Sequence, residues 1–333
     1  MKRIAFFNNT GGVGKTTLVY HIAHMIADKG RRVLLVDLDP QSNLTAMCLT
    51  EERLEELWPE NGEHPQTILG CIRPILRGIG DIQDPHVEAL RDELAIIPGD
   101  LGLSTFEDKL SDAWPRAMGR DEAAFRTLSA FHRAASFAAD RHQPDVILFD
   151  VGPNLGAINR AALIGTDFVI TPLAPDLYSM QGLRNLGPTL VHWRKDWHKR
   201  VEESPDPHLA LPSGRMEPLG YVVMQAAMRL SKPVKAYEKW VSKIPLEYRR
   251  AVLRDAPNAP PTSEDPWCLG IMRHYQSLMP FAQDAQKPMF HLRPADGAIG
   301  AHMDAVRRCR EDFEHLATNI LARADGLEAT SPP

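Results

Sequence analysis

Short apolar runs alternate along the chain with longer segments in which apolar residues recur every three or four positions. The runs cover residues 4–7, 33–36, 146–149, 168–170 and 219–224. Their length and their content of Val, Ile, Leu and Phe are typical of strands buried on both faces of a parallel sheet. The pattern predicts an α/β fold, with a doubly wound, mostly parallel sheet flanked by helices and with ligands at the carboxyl ends of the strands.

A glycine-rich segment follows the first run and leads into a helical pattern. This order of strand, glycine turn and helix is that of the phosphate-binding loop of a P-loop NTPase. Glycines let backbone N–H groups close around phosphate oxygens, Lys15 supplies a positive charge for the β and γ phosphates, and the Thr16 hydroxyl can bind Mg²⁺. The residues expected to contact a nucleotide are Thr10, Gly11, Gly12, Val13, Gly14, Lys15, Thr16 and Thr17.

Aspartates stand at the ends of two later runs. Asp37 and Asp39 follow the second run, and Asp150 closes the third. Asp150 is placed to hold a metal-bound water, and we predict Thr16 and Asp150 as residues of a Mg²⁺ site. For Asp39 a simple turn is the alternative, since the Asp-Pro pair is common in turns.

Asn9 occupies the position of the first glycine in an ordinary Walker loop. With the segments DLDPQ at 37–41 and DVGP at 150–153, this departure resembles the deviant Walker motif of the ParA/MinD (Soj-like) family of partitioning ATPases. The resemblance covers most of the chain, and it implies ATP rather than GTP, Mg²⁺, and a homodimer that forms on ATP binding. It also implies that Lys15 and Asp39 are catalytic, with Asp39 orienting the attacking water, and that Asp39 belongs to the Mg²⁺ site together with Thr16 and Asp150. Gln225 is expected near adenine, although a polar core residue explains Gln225 equally well.

One residue departs from the family pattern. Thr10 stands where the family has a signature lysine that crosses the dimer interface to the partner's nucleotide. A charge supplied in trans is worth roughly 10³ to 10⁵ in the rate of phosphoryl transfer. Two interpretations follow: an ATP-dependent dimerisation switch with slow hydrolysis, or a nucleotide-gated binding protein with negligible hydrolysis. Arg184 is a candidate for replacing the lysine, because the matching segment of the family lies near the interface.

Composition limits the classes of function. The chain has 333 residues, 44% hydrophobic and 24% charged, and a formal net charge of −5, which argues against a protein that is positive over its whole surface. The four cysteines lack the spacing of a metal site or a redox motif. Because there is no signal peptide and no apolar run of about 18 residues, we expect a cytoplasmic protein with no membrane partner.

A basic segment is the candidate for nucleic-acid binding. Residues 221–254 contain eight Lys or Arg residues and two Glu residues. A solvated helix face is the ordinary explanation of such a pattern. Because the family binds DNA non-specifically through basic residues in its carboxyl-terminal part, the resemblance implies DNA and an unidentified adaptor or cargo protein as partners, and association with the nucleoid. The residues expected to contact DNA are Arg229, Lys232, Lys235, Lys239, Lys243, Arg249 and Arg250.

The motifs leave room for one domain. We expect a single nucleotide-binding domain at residues 1–325 and a flexible tail at 326–333. Residues 51–145 begin with an acidic cluster, are mostly helical in pattern and are interrupted by prolines. We therefore expect a helical insertion there, and its function cannot be inferred from the sequence.

Overall fold

The computed structural model describes residues 1–60, 62–224, 234–255, 258–275 and 277–330, apart from the side chains of 234–237 and 328–330. Within these residues, eight strands form one sheet. In chain order they are β1 Lys2–Phe6, β2 Val33–Asp37, β3 Glu88–Arg91, β4 Leu94–Ile97, β5 Val146–Asp150, β6 Phe168–Leu173, β7 Glu217–Met224 and β8 Cys268–Met272.

The strand order across the sheet is β3-β4-β2-β5-β1-β6-β7-β8. All neighbouring pairs are parallel except β3 and β4. Because β1 lies between β5 and β6, the loop that follows β1 leaves the middle of the sheet at its carboxyl edge. This is the edge at which doubly wound sheets bind ligands.

Helices cover both faces of the sheet. In the described residues they are α1 Lys15–Asp28, α2 Asn43–Cys48, α3 Glu51–Leu57, α4 Ile68–Arg77, α5 Glu107–Arg116, α6 Glu122–Leu128, α7 Ala130–His142, α8 Ala157–Ile164, α9 Leu177–Glu202, α10 Val234–Val241, α11 Ile244–Tyr248, α12 Met279–Asp284 and α13 Ala301–Thr330. A π-helical turn over Arg249–Leu253 follows α11. Two large apolar clusters lie between the sheet and its helices. Helices α1 and α13 contribute to one cluster, and helices α4 to α9 contribute to the other.

The positions of the apolar residues explain how the inner elements form. Every residue of β2, β5 and β6 is buried, as the uninterrupted apolar runs predict for central parallel strands. α1 buries Leu18, Ile22 and Ile26 at helical spacing, and its chain turns away at Gly30 with a φ of 75°. The predicted α/β fold, with a doubly wound and mostly parallel sheet, is confirmed.

Two expectations about the outer parts of the chain differ from the structure. Residues 51–145 contain helices α3 to α7, but they also contribute β3 and β4, and β4 pairs with β2 inside the sheet. Four-residue strands give little periodic signal, which is why the pattern of the segment was mostly helical. At the carboxyl end, α13 continues to Thr330, so residues 326–330 are helical where a flexible tail was expected. Residues 331–333 lie outside the described residues.

Candidate nucleotide-binding site

The segment between β1 and α1 is a loop shaped by two glycines. Gly12 and Gly14 have φ values of 74° and 82°, in the left-handed region that other residues rarely adopt. Gly14 is also the N-cap of α1, and no side chain in the described part of the protein caps this helix. The first N–H groups of α1 can therefore bind an anion, and the helix dipole favours negative charge at the same point.

Lys15 lies in the first turn of α1, and its side chain folds back along the loop. Its Nζ donates a hydrogen bond to the Thr10 carbonyl oxygen at 3.2 Å. Burial lowers the pKa of Lys15, whereas the charges of Asp150 and Asp39 raise it. The ammonium thus stands between the glycine loop and two carboxyl groups, where it can contact phosphate oxygens held by the loop.

Asp37 lies opposite Asp150 at the carboxyl ends of β2 and β5, and both side chains are fully buried. The Asp37 carboxylate is well satisfied. Its Oδ2 accepts hydrogen bonds from Thr45 Oγ1 at 2.7 Å and from Thr45 N at 2.9 Å. Burial raises the pKa of Asp37 to about 6, against the effect of these hydrogen bonds. Its role is to hold the start of α2 against the sheet.

Asp150 is in a different situation. Neither of its carboxylate oxygens makes a hydrogen bond of good geometry with the described residues. Burial raises its pKa well above the ordinary value, Asp37 adds to this rise, and the nearby Thr16 hydroxyl opposes it. Because buried polar atoms without partners are rare in folded proteins, the Asp150 carboxylate is a candidate ligand site.

The oxygen atoms of Asp150 and Thr16 fit Mg²⁺, which prefers oxygen ligands. Within the described residues there is no group of three or more His, Cys, Asp or Glu side chains suited to a metal ion. This agrees with Mg²⁺ chemistry in nucleotide sites, where one or two protein ligands are completed by phosphate oxygens and water. A bound Mg²⁺ would supply positive charge for the phosphates and for the group that leaves on hydrolysis.

Asp39 is held in a tight turn, and it also faces residues 150–154, which include the second of the two segments (37–41 and 150–153) that resemble the family's switch segments. Its Oδ1 accepts a hydrogen bond from Gln41 N at 3.0 Å, and its own N–H donates to Asp37 Oδ1 at 3.3 Å. A Cβ built on Gly152 would lie 3.5 Å from the same Oδ1. The turn that the Asp-Pro pair predicts is therefore present. It places the Asp39 carboxylate beside Gly152.

Hydrogen bonds from Asn159 hold this second switch segment in place. Its Nδ2 donates to the carbonyl oxygens of Gly152 at 2.8 Å and Asn154 at 2.6 Å. The carboxylate of Glu107 binds the N–H groups that begin α8. Sequence analysis missed Glu107, because no local signal connects α5 with a segment 50 residues away.

Two cavities adjoin the loop on either side of Thr17 and Met279. One, of about 550 Å³, is at the carboxyl ends of β7 and β8, and its lining includes Gly12, Gly14, Thr17, Met224, Met272 and Tyr275. The other, of about 580 Å³, runs along α1 towards α3 and α12. The first has the size and position expected for a nucleoside. Gln225, expected near adenine, lies outside the described residues.

A sequence profile described as an AAA domain matches residues 1–202, well over half of the chain. A chromosome partitioning protein, ParA, also matches 188 residues of the chain. The chain belongs to the ParA/MinD family. The predicted resemblance is thereby confirmed.

Two curated relatives give the scale of the similarity within this family. Soj, the sporulation initiation inhibitor of Bacillus subtilis, is 31% identical over 185 residues, which cover 56% of this chain and 63% of Soj. The chromosome partitioning protein ParA of Myxococcus xanthus is 31% identical over 188 residues, which cover 56% of this chain and 57% of that protein. The chain thus spans less than two thirds of the length of either relative.

Solved structures are similar over nearly the whole chain. Protein DIP2308 of Corynebacterium diphtheriae is 26% identical, with a TM-score of 0.69, and the alignment covers 98% of this chain and all of that one. The ParA protein named pnob8 ParA is 18% identical with a TM-score of 0.62, over 98% of this chain and 99% of that one, which shows the shared fold.

Thr10, which the resemblance places where the family has its signature lysine, contacts another part of the same chain. A Cβ built on Gly182 of α9 would lie 3.0 Å from Thr10 Oγ1, so the Thr10 side chain packs against α9. Arg184, the candidate replacement for the signature lysine, is bound to Glu247 through Nε at 2.7 Å and through its terminal nitrogen at 3.0 Å. The Arg184 guanidinium must leave this ion pair before it can act on a partner.

The basic residues expected to contact DNA have different environments. Lys239, Lys243 and Arg250 are exposed, whereas the Arg249 guanidinium binds the buried Asp265 carboxylate at 2.6 Å. Lys235 belongs to α10, but its side chain is not described. Arg229 and Lys232 lie outside the described residues.

None of the helices in the described part of the chain has a segment both long and apolar enough to cross a membrane.

Proposed function

We propose that this ParA/MinD family member is an ATP hydrolase that acts as an ATP-dependent dimerisation switch for the partitioning or positioning of DNA or a protein cargo. The observation that carries the proposal is the meeting of Lys15, the Thr16 hydroxyl and the unpaired Asp150 carboxylate beside an uncapped helix N-terminus. These are the groups that hold the phosphates and the Mg²⁺ of a nucleoside triphosphate. The protein accordingly binds ATP together with Mg²⁺ at this site.

Hydrolysis requires a group that orients water in line with the γ-phosphate. Asp39 takes this role, because its carboxylate is buried next to the Gly152 segment and within the electrostatic reach of Lys15. The water oxygen bonds to the γ-phosphorus as the bond to the bridging oxygen breaks, which yields ADP and inorganic phosphate. Turnover is slow, since Thr10 supplies no charge in trans.

Exposed apolar side chains near the site support a face-to-face homodimer. Leu177 is 57% exposed and Tyr178 is 75% exposed in the first turn of α9, and Leu155 is 37% exposed after the second switch segment. Tyr178 lies one helical turn before Gly182, which contacts the phosphate loop, so it stands on the face of α9 turned to the nucleotide. A second copy would cover these side chains.

Non-specific DNA binding is the second element of the proposal. Lys239, Lys243 and Arg250 are exposed, and a dimer would double the positive charge they present to phosphate groups. Association with the nucleoid in the cytoplasm and capture of an adaptor or cargo protein follow from the same proposal. Membrane attachment has no role in it.

A nucleotide-gated binding protein with negligible hydrolysis is the alternative. The specific observation that favours it is the packing of Thr10 against Gly182, which directs that side chain into its own subunit. In this alternative the Mg²⁺–ATP complex closes the dimer, and release of intact ATP opens it.

The test is the molecular mass by light scattering with and without Mg²⁺–ATP, with phosphate release followed on the same sample. The switch predicts a shift from monomer to dimer and slow phosphate release, and both should be lost in Lys15→Ala. Dimer formation without phosphate release would support the alternative. A protein that stays monomeric with ATP bound would contradict both.

A further inference from the structure

Glu107 makes the contact that holds the start of α8, although it lies outside the loop and the aspartates of the site. Its Oε1 accepts a hydrogen bond from Ala157 N at 2.5 Å, and its Oε2 accepts one from Ile158 N at 2.9 Å. The N-cap of α8 is Gly156, which has no side chain to cap the helix. A carboxylate from α5 therefore does the work of an N-cap residue, and its negative charge suits the helix dipole.

The start of α8 is connected to the nucleotide site through Asn159. This residue, in the first turn of α8, donates hydrogen bonds to the carbonyl oxygens of Gly152 and Asn154. Gly152 lies beside the Asp39 carboxylate. Contacts thus run without interruption from Glu107 through α8 to the segment that faces the carboxylate proposed to orient water.

α5 is attached to its neighbours at a second place, two turns beyond Glu107. The Arg160 guanidinium of α8 lies 4.1 Å from the centre of the Trp114 ring, and the Arg200 guanidinium of α9 lies 4.2 Å from it. Leu110, between these two points, is fully buried. Because α5 is held by these contacts, removal of the Glu107 carboxylate should free the start of α8 without displacing α5.

The contact between Glu107 and α8 is close enough to exclude a side chain at position 156. A Cβ built on Gly156 would lie 2.6 Å from Glu107 Oε1. The glycine therefore allows the carboxylate to approach the backbone directly, which is one of the ordinary reasons for glycine at such a point.

We propose that Glu107 is a positioning residue for the site: its carboxylate holds α8 so that Gly152 stays beside Asp39, the residue proposed to orient water at the γ-phosphate. The inference rests on the proposed function, since it concerns ATP turnover and the difference between ATP and ADP. It also gives a role to α5, part of the segment whose function could not be inferred from sequence.

The experiment compares Glu107→Ala and Glu107→Gln with the control Asp108→Ala. Asp108 is an exposed carboxylate in the same first turn of α5, so its loss has a similar effect on the helix dipole. Phosphate release and the affinities for Mg²⁺–ATP and Mg²⁺–ADP are measured, together with amide hydrogen exchange over residues 152–158 without nucleotide.

Glu107→Ala should lower ATP affinity and turnover roughly tenfold or more, because hydrogen bonds to a charged group are lost, while ADP affinity stays within about twofold. Amide exchange over 152–158 should rise. Glu107→Gln keeps one carbonyl oxygen as an acceptor and should recover most of the loss, and Asp108→Ala should match the wild type.

Two results would overturn the inference: an equal loss of ATP and ADP affinity in Glu107→Ala, or lower thermal stability with unchanged nucleotide binding. Either result would show that Glu107 only caps α8 and stabilises the fold. A wild type that neither releases phosphate nor distinguishes ATP from ADP would contradict the proposed function instead. In that case unchanged amide exchange over 152–158 in Glu107→Ala would overturn the positioning role on its own.

Discussion

Gly182 of α9 lies against Thr10 of the phosphate loop, so closely that a Cβ at position 182 would stand 3.0 Å from Thr10 Oγ1. The same Cβ would lie 2.8 Å from Asn9 Oδ1, a buried oxygen that has no hydrogen-bond partner in the described residues. The shape of the loop therefore depends on the absence of a side chain in a helix that begins far along the chain.

Gly182→Ala should weaken nucleotide binding. The added methyl group cannot fit unless the Asn9 and Thr10 side chains move, and overpacking of this kind costs about 1–3 kcal/mol. We expect the affinities for ATP and ADP to fall together by roughly tenfold, measured by calorimetry. Gly119→Ala is the matched control, because a Cβ there meets no atom within 4 Å. Equal affinities in the two variants would mean that the loop adapts freely.

Thr10→Lys should restore the family's signature residue. Because a Cβ on Gly182 would lie only 3.0 Å from Thr10 Oγ1, the longer lysine side chain must point away from α9, and we expect it to reach the nucleotide of a partner. We expect faster phosphate release, by roughly tenfold or more, and a tighter ATP-dependent dimer. Thr10→Met is the control for added length without charge. If lysine and methionine have the same turnover, charge at this position is unimportant.

Asp150→Asn should stabilise the nucleotide-free protein at neutral pH and abolish its response to Mg²⁺. The raised pKa means that the folded state binds the Asp150 proton more tightly than the unfolded state does. The stabilisation that Asp150 gives to the folded state is therefore present at a pH below its pKa in the unfolded chain, about 3.9. This stabilisation declines as the pH rises towards the pKa of the folded state. At about pH 7.5 we expect a gain of about 1–3 kcal/mol, because asparagine is neutral at this buried position without binding a proton.

The gain from Asp150→Asn should be smaller at about pH 5 than at about pH 7.5, because the raised pKa of Asp150 favours the protonated carboxyl group in the folded state as the pH falls. Thermal unfolding at both pH values measures this difference, and the exposed Asp108→Asn is the control. A stability gain that is the same at both pH values would show that protonation of Asp150 is not its cause.

Arg249→Ala should destabilise the fold. The Arg249 guanidinium pairs with Asp265, which is buried and also accepts a hydrogen bond from the Tyr221 hydroxyl at 2.8 Å. Removal of one partner of a buried ion pair costs about 3–5 kcal/mol. Arg250→Ala, at an exposed neighbouring residue, should change the free energy of unfolding by less than about 0.5 kcal/mol. Similar unfolding curves for both variants would show that Arg249 is not structurally important.

Lys239→Glu combined with Arg250→Glu should weaken DNA binding across all sequences. If both side chains contact phosphate groups, the slope of log K against log salt concentration should decrease by about 2. Titration of labelled duplex DNA in the presence of Mg²⁺–ATP measures this slope. Glu substitutions at Arg307 and Arg310, exposed residues of α13, are the control for total charge. An unchanged slope in the Lys239 and Arg250 variant would exclude this face.

Local patterns account for what the sequence predicts correctly. The strands that hold Phe6, Asp37 and Asp150 are continuous apolar runs, and the glycine loop is one contiguous segment, so both are readable without tertiary information. The carboxylates come together because parallel strands in register end at the same edge of the sheet.

Other features depend on contacts between distant parts of the chain. The hydrogen bonds from Glu107 to α8 and the close approach of Gly182 to the loop connect elements with no common sequence signal. Arg249 belongs to a basic segment by sequence, and only the fold shows that its charge is matched by Asp265. Sequence patterns report which residues are charged, whereas burial determines which of those charges remain free to act.

The position of β4 inside the sheet has a practical consequence for protein engineering. Removal of residues 51–145 as a module would also remove Leu94–Ile97 and leave β2 as a bare edge strand. Unpaired backbone groups along an apolar edge strand promote self-association. A shortened version of the protein must therefore keep β4, and fusion partners are better inserted at 205–208, a largely exposed part of the irregular segment between α9 and β7.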